Sequence, residues 1–553
     1  MGWLPIVAIL LVAFAVRFPA LPQKGIVDWD EAEYLSHARL VASGARAALS
    51  HVGLHLPEGQ FLRPQADFEG ETRWGKLRGW PNMHHRPAHA LSLAVGLLLL
   101  GEYPWAGQAV TASFGLLTVA VVYALIKRPW GLGPAILAAA ALAVSGWHTL
   151  NSAIALPDIA VVLGWALALH TYWRALSPGG FRRHSLAAGA LLGLGVTFNE
   201  RTLLFIPWLV GSEVLLWLRD WLRRDTPDSR SPFGAARAGL ARALLVFAGC
   251  ALLVGAVIGS LGLIQNVTSL LGAPVPGLPW NYVQNISGQF AGWSAFGGGP
   301  ALKLPSPSPL LIFPYLTWQW DAAPAIALAV AGLATAITLG RREDPSVLLL
   351  LLVHYAFFAV SPFHVAHYYL PIALAMSVLA GRWLLVTPAT PRVQKLVAVA
   401  FAAVVLLAGA PRAAALAAVP SGYQAAAEMA IRETGGKNIS NHWSITAYYT
   451  GMANTRWPQG GMAAVREAVA EGYWLALVAS AHESAGQLAP WEQEPDLAGA
   501  RLVAVIPNPA GGFLANIHGS ATPSLEEVLE KAQVASPEIR IYDLRPLLGE
   551  PRR

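Results

Sequence analysis

The sequence has 553 residues, of which 55% are hydrophobic and 13% are charged, and its mean hydropathy is +0.47. Soluble globular domains carry about 25% charged residues, so this composition excludes a chain that is mainly a large soluble domain. The formal net charge is +6, but there is no block rich in Lys and Arg. The basic balance therefore indicates membrane topology rather than nucleic-acid binding.

Eleven apolar runs are long enough, or nearly so, to cross about 30 Å of hydrocarbon. They lie near 3–21, 107–126, 132–149, 157–175, 186–198, 202–218, 240–264, 322–340, 346–362, 367–386 and 394–411. No Lys or Arg precedes the apolar core of the first run, and Arg17 follows it. We therefore expect an uncleaved first helix rather than a signal peptide. A twelfth run, 88–101, is short and suits an interfacial or re-entrant helix.

The distribution of basic residues predicts the orientation of the spans. If 88–101 does not cross the membrane, most basic loop residues collect on one side, at 127–128, 174–183, 219–237, 341–342 and 392–395. Positively charged loops stay in the cytoplasm. We therefore predict a cytoplasmic N-terminus and outer loops at 22–106, 150–157, 199–202 and 265–321.

The C-terminal region has a more ordinary charge density than the apolar part of the chain. Segments 425–434 and 523–533 read as helices, and 473–480, 501–507 and 540–544 read as strands. Alternating helices and strands predict a small α/β domain at 413–553, following a transmembrane domain at 1–412. With a cytoplasmic N-terminus, an odd number of spans places that C-terminal domain on the extracytoplasmic side of the membrane.

The stretch directly after the first span is strongly acidic. Asp28, Asp30, Glu31 and Glu33 fall within six residues, and Trp29 and Tyr34 are interleaved with them. A solvated loop would explain scattered acids, but it does not explain why these acids directly follow the first span. The pattern makes this stretch a candidate functional site.

An apolar helix followed by Asp30-Glu31, Ala32 and Tyr34 resembles the opening of the C-type glycosyltransferases. It is most similar to the branch that contains protein O-mannosyltransferases and lipid A aminoarabinose transferases. Further similar motifs keep the same order over roughly 1–390: His85-Arg86-Pro87, Ala155-Leu156-Pro157-Asp158 and Tyr368-Tyr369-Leu370-Pro371. The chain departs from the family pattern in having Arg86 where Lys is usual, and Asn199-Glu200-Arg201 where Thr-Lys-Gly is usual.

The resemblance implies an α-helical polytopic membrane fold and a role for each matched residue. Asp30 would be the general base that takes the proton of an acceptor hydroxyl, with Glu31 helping to bind or orient. Cations would stabilise the leaving lipid phosphate, and the planar fork of Arg86 suits this task. The remaining candidates are Arg201, His367 and Tyr368 for the donor phosphate, and Asp28, Tyr34 and Asp158 for substrate binding.

Several of these residues have plain structural alternatives. Arg86 could snorkel at a helix end, Asp158 could only complement a helix dipole, and Arg201 could pair with Glu200. Histidines at 37, 51, 55, 84 and 85 lie near acids but match no standard zinc spacing. We predict no cofactor, and the need for a divalent metal stays open.

The sequence therefore predicts a membrane glycosyltransferase in a bacterial or archaeal plasma membrane. It would transfer a sugar from a polyprenyl-phosphate donor to an acceptor hydroxyl on the outer face, with inversion. The acceptor, whether lipid, protein or glycan, is left open, and membrane lipids are the expected surroundings. A transporter or lipid flippase is the rival class, and a scaffold with an inactive site is a third reading.

Overall fold

The computed structural model describes residues 3–51, 53, 70–72, 75–77, 86–177, 180–222, 232–270, 283, 307–338, 340–360, 366–386, 390–456, 461–479, 499–510 and 538–548. Within these residues the chain is mainly helical. The helices up to residue 417 are α1 (Leu4–Ala15), α2 (Leu21–Lys24), α3 (Trp29–His51), α4 (Pro87–Leu100), α5 (Pro104–Trp130), α6 (Leu132–Ala143), α7 (Gly146–Ser152), α8 (Asp158–Ala175), α9 (Phe181–Phe198), α10 (Phe205–Leu222), α11 (Pro232–Leu270), α12 (Pro307–Trp320), α13 (Ala323–Ala336), α14 (Asp344–Val360), α15 (Leu370–Arg382) and α16 (Pro391–Ala417). Short 3₁₀ helices at Glu200–Leu204, Ala366–Tyr369 and Trp383–Val386 adjoin α10 and α15.

Five helical stretches of the described chain are long and apolar enough to cross a membrane. They are Pro104–Trp130, Glu200–Leu222, Phe233–Asn266, His367–Val386 and Pro391–Ala417. The helices α6 and α7 together form a sixth candidate, bent by 56°. The prediction of a membrane protein is confirmed, whereas the count of eleven spans stays a prediction.

Glycines explain how the short, Gly-rich run at 186–198 is accommodated. This run forms α9, which packs against α11 over much of its length. A Cβ at Gly189 would collide with the backbone carbonyl of Val246, and one at Gly249 with that of Leu186. Small residues let membrane helices approach closely enough for their backbones to touch. The glycines therefore mark a tight helix–helix crossing.

The chain beyond residue 417 forms a mixed sheet with three helices. The helices are α17 (Tyr423–Thr434), α18 (Trp443–Thr450) and α19 (Gly461–Ala470), and the strands are β3 (Asn438–Ser440), β4 (Thr455–Arg456), β5 (Leu475–Ala479), β6 (Arg501–Pro507) and β7 (Glu538–Asp543). The strand order is β4-β3-β5-β7-β6, with parallel pairs around β3 and antiparallel pairs around β7. A separate hairpin joins β1 (Gly70–Thr72) to β2 (Gly75–Leu77).

The secondary structure predicted for this C-terminal region agrees with the described elements. The predicted helix at 425–434 is α17, and the three predicted strands correspond to β5, β6 and β7. The predicted helix at 523–533 lies outside the described residues. Because the buried cluster of the helical bundle continues into α18, the division into domains at residue 413 stays a prediction.

Candidate active site

The acidic stretch after α1 begins with a helix cap. The Oδ1 atom of Asp28 accepts hydrogen bonds from the backbone N–H groups of Asp30, at 2.8 Å, and Glu31, at 3.4 Å. Such bonds satisfy the free donors in the first turn of α3, which is why acidic residues favour this position. Asp28 is buried and Asp30 is partly exposed. The cap leaves the Asp30 side chain in the first turn of α3.

Glu31 is fully buried and joins three parts of the chain. Its Oε2 accepts from the backbone N–H of Val27, and its Oε1 accepts from Nε2 of Gln108 and the backbone N–H of Ala155, each at 2.9 Å. Burial raises the pKa of the Glu31 carboxyl, and these donors, with the charge of Lys24, only partly offset that effect. The contacts of Glu31 therefore orient the start of α3 against α5 and the turn before α8.

Arg86 immediately precedes α4 and is buried beside the start of α3. Its Nη2 atom donates to Oε1 of Glu200 at 3.4 Å, and its guanidinium lies 5.1 Å from the centre of the Tyr34 ring. Burial lowers the pKa of Arg86, but the carboxylates of Glu200, Asp30 and Asp158 outweigh that effect and raise it. Three acids from different elements thus surround one guanidinium.

Asp158 opens α8 and is the centre of a second set of contacts. Its Oδ1 accepts from Nη1 of Arg201 at 3.0 Å and from Nδ2 of Asn199 at 3.3 Å. Its Oδ2 lies 3.8 Å from Nε2 of His367. The Arg201 guanidinium stacks 3.4 Å above the centre of the Tyr368 ring. The observed partner of Arg201 is therefore Asp158.

The tertiary structure brings most of the predicted site residues together at one end of the helical bundle. We call the following set the outer cluster: Tyr34, Asp30, Arg86, Asp158, Glu200, Arg201, His367 and Tyr368. Within the described part of the chain, Nε of Arg86 and Oδ2 of Asp158 have no hydrogen-bond partner. Buried polar atoms are normally paired, so these two atoms are available to a bound molecule.

Sequence reasoning missed the role of Glu200. The sequence predicts a phosphate role for Arg201 but assigns no site role to Glu200, which binds Arg86 while Asn199 and Arg201 both bind Asp158. An acid and a base side by side in a short turn between two apolar runs were the available signal. The departure from the motif is therefore built into the site.

The outer cluster offers no ready-made metal site. No group of three or more His, Cys, Asp or Glu side chains that could hold a metal ion occurs in the ranges that the structure describes. Of the five histidines noted in the first outer loop, those at 55, 84 and 85 lie outside those ranges. The requirement for a metal ion stays open.

One known sequence family matches part of the chain. Residues 84–249, which include Arg86, Asp158 and Arg201, match the sequence model of a family described as dolichyl-phosphate-mannose-protein mannosyltransferase. No curated protein sequence matches the chain significantly.

Several solved structures share the fold. The apo oligosaccharyltransferase of Archaeoglobus fulgidus has a TM-score of 0.53 at 12% identity, covering 91% of this chain and 73% of that one. The archaeal oligosaccharyltransferase AglB, also from Archaeoglobus fulgidus and in complex with an inhibitory peptide and a dolichol-phosphate, has a TM-score of 0.50 at 11% identity, covering 86% of this chain and 69% of that one. Apo ArnT from Cupriavidus metallidurans has a TM-score of 0.51 at 14% identity, covering 100% and 99%. At such identities the structural likeness establishes the fold.

The chain therefore resembles a class of membrane glycosyltransferases, since residues 84–249 match a mannosyltransferase family model and the fold is shared with solved glycosyltransferase structures. The resemblance predicted from the acidic stretch, the Arg86 motif and the Asp158 motif is therefore confirmed at the level of this class.

Proposed function

We propose that the protein transfers a sugar from a polyprenyl-phosphate donor to an acceptor hydroxyl, with Asp30 as the general base. The observation that carries this proposal is the outer cluster, in which two guanidinium groups, of Arg86 and Arg201, lie close to a partly exposed carboxylate, and Nε of Arg86 has no hydrogen-bond partner within the described residues. The solved complex of AglB with a dolichol-phosphate supports a lipid phosphate as a ligand of this fold.

Arg86 and Arg201 suit the phosphate of the donor. A leaving phosphate gains negative charge as the glycosidic bond breaks, and cations placed beforehand stabilise that charge. The two guanidiniums come from different elements, since Arg86 precedes α4 and Arg201 follows α9. His367 lies against the carboxylate that binds Arg201, and Tyr368 supports the same guanidinium by stacking.

Asp30 suits the acceptor side of the reaction. Its carboxylate is partly exposed, and it interacts electrostatically with the buried Arg86. A base that removes the acceptor proton opposite the lipid phosphate would invert the anomeric centre. Asp28 and Glu31 would act through structure, because their observed bonds cap α3 and attach it to its neighbours. Tyr34 and Asp158 would border the sugar.

An apolar groove beside the outer cluster suits the prenyl chain. A cavity of about 760 Å³ is lined by side chains of α10 and α12 to α15, among them Phe313, Trp318, Leu333 and Tyr355. The Phe313 ring centre lies 5.3 Å from that of Tyr369, which adjoins Tyr368 in the sequence. A lipid whose phosphate is held by Arg201 could therefore extend its tail along this groove.

The membrane arrangement is part of the same proposal. We keep eleven spans, a cytoplasmic N-terminus and an extracytoplasmic C-terminal α/β domain, since the bias of basic loop residues supports that orientation. The outer cluster would then face the extracytoplasmic side of a bacterial or archaeal plasma membrane. The acceptor is a lipid, a protein or a glycan.

The rival transporter reading fits the location of the charges less well. Ion-coupled transporters place polar groups near the middle of the membrane on broken helices. Here Asp158 and Arg201 stand at the start of α8 and the end of α9, and His367 stands just before α15. The charges of the outer cluster thus lie at helix ends, where a membrane-surface reaction needs them.

The deciding experiment is the Asp30→Asn variant, assayed for transfer of radiolabelled sugar from undecaprenyl-phosphate donors in proteoliposomes, mannose first. We expect a loss of roughly 10²–10⁴-fold, the usual contribution of a general base, with unfolding temperature and undecaprenyl-phosphate binding unchanged. Glu33→Gln, in the same turn, is the control and should keep most of the activity. Full turnover in Asp30→Asn would remove the proposed base, and donor uptake without transfer would favour the transporter.

A further inference from the structure

Each of the four residues before the acidic stretch is held by a hydrogen bond to one of its backbone groups. We call Lys24, Gly25, Ile26 and Val27 the entry segment, because they lead from α2 to the cap of α3. Gly25 has a φ of +69°, a left-handed conformation that glycine adopts most readily. Asp30 comes three residues after this segment, so its position depends on how the segment is held.

Two of the bonds come from the membrane-domain side. Nε2 of Gln108, in α5, donates to the carbonyl of Gly25 at 2.8 Å. The same amide group donates to Glu31, which in turn accepts from the backbone N–H of Val27. One side chain of α5 therefore contacts both the entry segment and the first turn of α3.

The other two bonds come from the C-terminal region, about 400 residues away in the chain. The backbone N–H of Ser421 donates to the carbonyl of Lys24 at 2.8 Å. The hydroxyl of Tyr449, in α18, accepts from the backbone N–H of Ile26 at 3.0 Å. Ile26 and Tyr449 are both buried. Without the Tyr449 hydroxyl, the amide of Ile26 would be a buried donor with no acceptor at that position.

A second contact region links the same C-terminal helix to α3. Nη1 of Arg39 donates to the backbone carbonyl of Tyr448 at 3.3 Å, and its guanidinium lies 5.2 Å from the centre of the Tyr448 ring. The Tyr448 hydroxyl itself has no hydrogen-bond partner within the described residues. The helix α18 therefore holds α3 through Arg39 and holds the entry segment through Tyr449.

We propose that Tyr449 is a positioning residue for Asp30, and that the C-terminal region serves the transfer reaction by fixing the entry segment. This inference rests on the proposed function, because it assigns Tyr449 to the reaction in which Asp30 is the base. Tyr449 does not touch the outer cluster through any described contact. Its hydroxyl accepts a hydrogen bond from the backbone N–H of Ile26. Tyr449 therefore acts through Ile26 on the placement of the first turn of α3.

The test compares two adjacent tyrosines that differ in one respect. Tyr449→Phe removes a hydroxyl that binds the entry segment, and Tyr448→Phe removes a buried hydroxyl that binds no described residue. Turnover is measured in proteoliposomes with the undecaprenyl-phosphate-linked sugar that the wild type uses. Binding is measured separately with undecaprenyl phosphate alone. Misplacing a catalytic group by about 1 Å can lower rates up to 10²-fold.

We expect kcat of Tyr449→Phe to fall roughly tenfold, while its KM for the donor and its affinity for undecaprenyl phosphate stay within about twofold of wild type. Tyr448→Phe should match wild type in all three quantities. A residue that served only stability would lower the unfolding temperature without this division between kcat and KM. Unchanged kcat in folded Tyr449→Phe, or an equal loss in Tyr448→Phe, would overturn the inference.

A second variant covers the case in which Tyr449→Phe does not fold. Gly25→Ala adds a methyl group about 3.5 Å from the Tyr449 hydroxyl and strains the left-handed backbone. It should show the same loss of kcat with unchanged undecaprenyl-phosphate affinity, and a wild-type kcat would again overturn the inference. If Asp30→Asn retains full turnover, the proposed function itself has failed, which the wild-type and Asp30→Asn pair reveals independently of Tyr449.

Discussion

Buried charged side chains are paired with different geometry at the two ends of the same helices. Just before α15, His367 and Tyr368 belong to the outer cluster, and at its last residue Arg382 forms an ion pair with Asp344. That inner pair is bidentate, with Nε and Nη2 of Arg382 at 2.8 and 3.1 Å from the two carboxylate oxygens. Arg242 binds both oxygens of Glu213 in the same manner, at 2.8 and 2.6 Å.

The outer cluster lacks this two-point geometry. Arg86 reaches Glu200 with one nitrogen at 3.4 Å, and Arg201 reaches Asp158 with one nitrogen at 3.0 Å. Bidentate pairs between Arg and a carboxylate are the stronger and more specific arrangement. Each inner arginine therefore binds both oxygens of its carboxylate and serves as a structural contact. In the outer cluster, Nε of Arg86 has no hydrogen-bond partner within the described residues. The difference teaches that burial of charge alone does not identify a functional site, and that incomplete pairing counts only where several charged groups from different elements meet, as they do around Arg86.

The largest effect on stability should come from breaking the saturated inner pair. Arg382→Ala leaves the Asp344 carboxylate buried without its partner, and breaking such a pair typically costs about 3–5 kcal/mol. We expect a much lower unfolding temperature in detergent, with the undecaprenyl-phosphate response retained by the folded fraction. Arg201→Ala, which breaks a single-point pair, is the comparison and should destabilise less. Equal destabilisation by both variants would mean that the two ends do not differ.

Substitutions in the outer cluster should weaken ligand binding more than substitutions in the inner ion pairs. Arg86→Ala removes a guanidinium whose Nε has no described hydrogen-bond partner. A hydrogen bond to a charged group contributes about 1.5–3 kcal/mol, or roughly 10–100-fold in affinity. Undecaprenyl phosphate should raise the unfolding temperature of wild type by mass action, and this rise should be lost in Arg86→Ala. The matched variant at the inner end is Arg242→Ala, which should retain the rise if it folds. A rise that persists in Arg86→Ala would contradict the phosphate role.

The smallest predicted effect concerns Glu200 and its contact with Arg86. Glu200 occupies one nitrogen of Arg86 in the structure, so a donor phosphate has to compete with its carboxylate. Glu200→Gln removes that negative charge, and we expect undecaprenyl phosphate to bind roughly two- to fivefold more tightly, the effect of a weakly screened neighbouring charge. Affinity is measured by titration of the purified protein. Weaker binding would show that Glu200 holds Arg86 in its binding orientation, and Glu213→Gln at the inner end should leave affinity unchanged.

Much of the site could be predicted because its residues stand beside apolar runs. Asp30 follows the first run, Asp158 opens another, and His367 precedes a third, and hydropathy locates such boundaries without knowledge of the fold. The order of motifs around Asp30, Arg86 and Asp158 then predicted the resemblance that the family match and the shared fold support.

Other residues could not be predicted, because their roles depend on partners far away in the chain. Gln108 and Tyr449 bind backbone groups of the entry segment, and a side chain that binds a distant backbone group leaves no periodic or motif signal. The strands β3 and β4 have three and two residues, which is too short for alternation to show.

The sequence by itself determined that the protein is a membrane protein. It also determined the positions of the apolar runs and the charged residues at their ends. Those properties are local, since hydrophobic length and neighbouring charge decide them. Only the tertiary structure decided which charges meet. It paired Arg86 with Glu200 and Arg201 with Asp158, and it placed Tyr449 against Ile26. Pairing depends on how helices distant in the chain pack together, and packing is a property of the whole fold.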